Sequence, residues 1–95
     1  MKKDFLPIGS VVKIKKSKKD YMIIAVYVED NATKKTYDYC ACVFPFGQVS
    51  PESNVLFNTD SIEQVIFTGY KNELQEEYYD DINWQISKED ETNGE

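Results

Sequence analysis

A chain of 95 residues with 41% hydrophobic and 14% aromatic content supports one modest core and leaves no room for a second. Its formal net charge of −6 comes from 11 basic and 17 acidic residues, with no histidine, which excludes both the ordinary, globally basic nucleic-acid binder and any imidazole chemistry. No stretch approaches the roughly 18 to 20 apolar residues of a membrane span, and Lys2 and Lys3 lead into Asp4 and Pro7 instead of an apolar leader, so the protein is expected in the cytoplasm.

Pro7 and Gly9 punctuate the start of the chain. Val11, Val12 and Ile14 predict a first strand that runs into a turn rich in lysine at Lys13, Lys15, Lys16, Lys18 and Lys19. Tyr21 to Val28 is almost unbroken in its apolar character, which predicts a second strand with both faces covered. Glu29 to Thr36 reads as a polar hairpin loop, and Tyr37 to Phe44 as a third strand ended by Pro45 and Gly47. A loop from Gln48 to Ser53 precedes a short fourth strand at Val55 to Phe57. Asn58 to Ser61 are turn residues whose side chains bond their own backbone, and Gln64 to Thr68 form a fifth strand broken by Gly69.

From Asn72 the period changes. Leu74, Tyr78, Ile82 and Ile86 recur every four residues with Tyr79 alongside, which is one stripe of an α-helix. Asn72 is the expected N-cap, with Gln75 three residues on and Glu73, Glu76 and Glu77 in the first turn, where negative charge complements the helix dipole. The helix is expected over residues 72–88, followed by a disordered acidic tail at 89–95. The elements together predict an α+β fold, a small five-stranded antiparallel sheet or SH3-like barrel followed by one C-terminal helix, in a single domain over residues 1–88.

Charge is unevenly spread. Residues 1–35 hold nine lysines against four acidic residues, net +5, whereas residues 36–95 hold two against thirteen, net −11. The lysine cluster invites a nucleic-acid reading, but a charged hairpin tip that blunts a sheet edge accounts for it more simply. The chain has no arginine, hence no bidentate fork for bases or phosphates. Cys40 and Cys42 stand one residue apart on a predicted strand, with Cα atoms about 6.5 Å apart on one face. A disulfide between them would be strained, and two thiolates without histidine are half a zinc site, so they are expected to be reduced and buried. No Gly-rich phosphate loop is present, and a Cys40 nucleophile would have no base beside it. An enzyme is therefore not expected, nor is a cofactor or a metal.

The helix offers more. Glu76, Glu77, Asp80 and Asp81 form a solvated acidic face able to steer a basic partner. Trp84 lies two positions from both Ile82 and Ile86, about 200° around the axis from each and off the apolar stripe. An exposed tryptophan there would anchor an interface, while a shifted helix would bury it on the sheet; both remain open. The expected partner surface comprises Tyr78, Tyr79, Ile82 and Trp84 with Glu77, Asp80 and Asp81.

Three blocks occur in fixed order: FLPIGSVV at Phe5 to Val12, YDYCACVFPFG at Tyr37 to Gly47, and NVLFNTDSIEQVIFTGY at Asn54 to Tyr70. As a set they resemble domain-of-unknown-function family 4176, over about residues 5–80. The departures are Phe46, where an acidic residue is common before the glycine, and the strongly basic hairpin. The resemblance implies a genetic setting of type VII secretion and LXG-type toxins in Gram-positive bacteria. It also implies an accessory of that system, since the export signals of its substrates are absent: Trp84 is followed by Gln85 and Ile86 instead of an x-Gly turn, and four residues beyond Tyr78 and Tyr79 stand Ile82 and Asn83. The expected function is a non-catalytic binding module, a chaperone or targeting factor for a toxin or its small helical partner. The alternatives are an immunity protein that covers the toxin's catalytic domain, or an SH3-like nucleic-acid binder using the lysine hairpin.

Overall fold

The computed structural model describes residues 3–93. They fall into two compact units: one spans Leu6–Tyr70, and the other joins the residues up to Phe5 with those from Lys71 onward.

The first unit is the sheet. Its strands are β1 (Val11–Ile14), β2 (Asp20–Glu29), β3 (Thr36–Phe44), β4 (Val55–Phe57) and β5 (Ile62–Phe67), with single 3-10 turns at Pro51–Ser53 and Thr59–Ser61. All neighbours are antiparallel, in the order β4-β3-β2-β1-β5. The first four strands form a meander and β5 returns to pair with β1. Of the two forms expected, the open sheet is the one observed: β4 and β5 are its edges, and no ladder among the described residues joins them.

β2 departs from the expectation of two covered faces. Tyr21, Ile23 and Val26 are buried, whereas Met22 and Ile24 are half-buried. A bulge explains the change of phase. Ile23 faces Ala41 and Ala25 faces Cys40, so Ile24 is the extra residue and the buried set passes from odd to even positions. Shortly after it, Tyr27 has φ 53°, in the left-handed region that bulky residues rarely occupy.

Side chains fasten the corners of the sheet. Tyr39 is fully buried, its ring 5.6 Å from that of Phe57, and its hydroxyl accepts from the Leu6 N–H at 2.8 Å. Asp38 is buried on the same strand. Its Oδ2 accepts from both the N–H and the hydroxyl of Thr59 at 2.9 Å, while its own N–H donates to Asn58 Oδ1 at 2.9 Å. Asp38→Ala removes the acceptor of two charge-assisted hydrogen bonds and is expected to cost about 2 kcal/mol in urea unfolding. Asp38→Asn keeps one acceptor oxygen and is expected to cost less. Equal losses for the two variants would show that the Thr59 lock is not what Asp38 contributes.

The second unit contains the helix α1, Glu73–Asn93. Asn72 caps it as expected: its Oδ1 accepts from the Gln75 N–H at 2.9 Å, and its carbonyl accepts from the Glu76 N–H at 3.1 Å. The helix continues five residues beyond Lys88. Residues 89–93, expected in a disordered tail, are helical, and residues 94–95 lie outside the described residues. No helix among the described residues is long and apolar enough to cross a membrane.

The buried stripe of α1 is also shifted from the expected one. Tyr79, Ile82, Asn83 and Ile86 are buried, while Leu74 is 72% exposed and Tyr78 half exposed. Asn83 makes the link to the N-terminal segment. Its Oδ1 accepts from the Lys3 N–H at 2.6 Å, and its Nδ2 donates to the Lys3 carbonyl at 3.0 Å and the Tyr79 carbonyl at 3.1 Å. The side-chain amide thus answers a backbone amide group for group, as a neighbouring strand would. Phe5 meets Tyr79 edge to face at 5.7 Å.

Candidate functional site

A helix advances about 100° per residue, so its faces follow from its numbering. Tyr79, Ile82, Asn83 and Ile86 occupy the buried arc. Across the axis, Leu74, Glu77, Asp80, Asp81, Trp84 and Lys88 are all exposed. Trp84 is 65% exposed, and the Lys88 Nζ lies 5.6 Å from its ring centroid, one turn further along. Asp80 and Asp81 stand four and three residues before Trp84, on the turn that its side chain leans toward. The outward face is therefore an indole flanked by carboxylates.

The expected partner surface is divided by this geometry. Trp84, Glu77, Asp80 and Asp81 share the exposed face, and Tyr78 lies at its border with its ring 5.8 Å from that of Tyr79. Tyr79 and Ile82 belong to the buried stripe and are not presented. Leu74, assigned from sequence to the stripe, instead joins the exposed face near Glu77 and Asp81. Asn83 carries a structural role that sequence reading missed. The signal was a polar residue between Ile82 and Ile86 and one turn after Tyr79, inside an otherwise apolar arc.

Among the described residues no group of three or more His, Cys, Asp or Glu is placed to hold a metal ion.

Cys40 and Cys42 are both free thiols. Cys42 is buried as expected, whereas Cys40 is only half-buried, a correction to the expected buried pair. Burial, and then the neighbouring Cys42, push the Cys40 thiol above its ordinary value of 9.0. The thiol therefore stays protonated at neutral pH, and the thiolate, the reactive form, is scarce. Alkylation of the folded protein is expected to be slower than that of the unfolded chain. Cys40→Ala with Cys42→Ala should cost on the order of 1 kcal/mol per site; rapid modification of native protein would contradict this placement.

The family model for Domain of unknown function (DUF4176) matches residues 5–78. No curated protein and no solved structure matches the chain. The match takes in every strand of the sheet and the start of α1, including the Asn72 cap, and the chain belongs to the DUF4176 family, a domain of unknown function.

Proposed function

We propose that the chain is a non-catalytic cytoplasmic accessory of type VII secretion that holds an LXG-type toxin, or the toxin's small helical companion, as a chaperone or targeting factor. The observation that carries the binding role is Trp84, 65% exposed on a helix among carboxylates. A large amphipathic ring left in water on a rigid element is the form that interface anchors take. Glu77, Asp80 and Asp81 around it favour a basic partner surface and faster encounter. The family match ends at Tyr78, so most of this face lies in the part of the chain that the family description does not cover. The secretion setting rests on the resemblance alone, and the binding role on the geometry of α1.

Co-expression with the two halves of an LXG-type toxin tests the reading. A stable complex with the N-terminal export half is expected. Capture of the C-terminal toxic half would make the chain an immunity protein. Binding to neither half, nor to the small helical companion, would end the proposal.

A further inference from the structure

We propose that the groove between the β1–β2 turn and the turn after β3 is a second docking site, for an acidic protein segment that carries a large apolar side chain. It lies within the sheet unit and does not depend on the reading of α1. The groove encloses about 620 Å³ and is lined by Lys13, Lys18 and Lys19 on one side and Phe44, Phe46 and Val49 on the other, among other residues. Strand register builds it: Lys13 stands opposite Asp20 and Asp20 opposite Phe44, in one line across β1, β2 and β3.

Both walls are held in place. In the lysine turn the Ser17 N–H donates to the Ile14 carbonyl at 3.3 Å, the Ser17 hydroxyl meets that of Tyr21 at 2.9 Å, and the Lys19 N–H donates to Ser17 Oγ at 3.3 Å. In the aromatic turn the Phe46 and Gly47 N–H groups both donate to the Val43 carbonyl at 3.0 Å, with Gly47 at φ 77°. The Val49 N–H donates to the Gly47 carbonyl at 3.0 Å, and Phe46 and Val49 stand 72% and 71% exposed beside a half-exposed Phe44. Three large apolar side chains in water around one groove give the fold nothing in return, and a patch of this kind marks a contact surface.

Charge identifies the occupant. Lys13 is already paired with Asp20 at 2.6 Å, whereas Lys18 and Lys19 are exposed and form no ion pair among the described residues. Two uncompensated ammonium groups beside an apolar groove match a segment with carboxylates flanking an aromatic or large aliphatic anchor. A polyphosphate strand fits less well. It needs a run of cations along its backbone, and here the groove includes the Asp20 carboxylate, the chain lacks arginine, and the net charge is −6.

A random dodecapeptide library displayed on phage and selected against the full chain provides the test. The expected result is enrichment of acidic sequences with at least one aromatic or large aliphatic residue. A labelled synthetic copy of the most enriched sequence should lose affinity about tenfold or more in Lys18→Glu with Lys19→Glu, and similarly in Phe46→Ser. It should also weaken as salt rises and bind Trp84→Ala as tightly as the parent, which separates this site from the helix face. All four substitutions fall on exposed side chains, and circular dichroism of each variant checks its fold; should Phe46→Ser unfold, the lysine pair decides alone. No enrichment of acidic sequences, or equal binding of the selected acidic peptide to the parent and to the groove variants, would overturn the proposal. So would a single-stranded oligonucleotide held at physiological salt through these lysines, or a dimer in sedimentation that the lysine variant abolishes, since either assigns the groove a different occupant.

Discussion

Replacing Gly69 by alanine is expected to destabilise the sheet unit by about 3 kcal/mol in urea unfolding, because it overpacks a site with no room to relax. A Cβ built at Gly69 would stand 2.5 Å from the Ile8 carbonyl oxygen, 3.0 Å from the Ser10 nitrogen and 3.1 Å from the Gly9 carbonyl carbon. All three are backbone atoms, which cannot rotate away as a side chain can. The turn that carries them is itself pinned: the Gly9 N–H donates to the Ile23 carbonyl at 2.8 Å, the Ile23 N–H to the Ser10 carbonyl at 2.8 Å, and the Ser10 N–H to the Pro7 carbonyl at 3.1 Å. Ser10 is fully buried, and its hydroxyl accepts from the Gly69 N–H at 2.9 Å. Pushing residue 69 away therefore breaks that bond and loosens the end of β5 where Phe67 pairs with Val11. Gly9→Ala is the control. Gly9 has φ +95° with nothing within 4 Å of an added Cβ, so only backbone strain of about 1 kcal/mol is expected. A Gly69→Ala protein within about 0.5 kcal/mol of the parent would mean the corner yields more easily than its hydrogen bonds imply.

Trp84→Ala is expected to weaken the complex with the proposed partner by about 2 kcal/mol, roughly 30-fold in affinity, as for an aromatic hot spot. The same change should leave folding stability within about 0.5 kcal/mol, since the ring is 65% exposed and the Lys88 ammonium lies 5.6 Å from its centroid, an exposed contact of little net worth. The two readings separate a contact role from a structural one. Ile82→Ala, in the buried stripe, should do the reverse: lower stability by about 2 kcal/mol or more, with binding retained by whatever remains folded. Charge reversal at Glu77 and Asp81 should act mainly on the association rate and its salt dependence, as for residues at an interface rim.

Much of the fold was legible in the residues. Alternation and turn chemistry placed all five strands, and β4 emerged with its bounds unchanged, because Pro51, Asn54 and Asn58 punctuate the chain on either side of it. The Asn72 cap was equally plain. The bulge at Ile24 was not, since an apolar run has no period that an extra residue could visibly break. The register of α1 was misread for a related reason. Steps of four residues drift about 40° each around a helix, so Leu74 and Ile86 lie well apart on its surface, and the buried line follows mixed steps of three and four through Tyr79, Ile82, Asn83 and Ile86. Trp84 stood off the stripe under either register, which is why its exposure was one of the two readings left open. The groove could not be read at all. Phe44 resembles an ordinary strand end and Phe46 an ordinary turn residue, and only the pairing of β3 with β2 brings them beside lysines more than twenty positions away.

Trp84 is the only tryptophan of the chain, so its fluorescence reports the proposed contact directly. Titration with a tryptophan-free version of the captured toxin fragment is the decisive measurement. The account predicts an emission maximum typical of a solvent-exposed indole in the free protein, easily quenched by acrylamide. It predicts a blue shift and a several-fold drop in quenching at saturation, with the change saturating at the stoichiometry of the complex. A complex that forms with tight affinity while the emission and quenching of Trp84 stay as they were in the free protein would contradict the assignment of this helix face as the partner site.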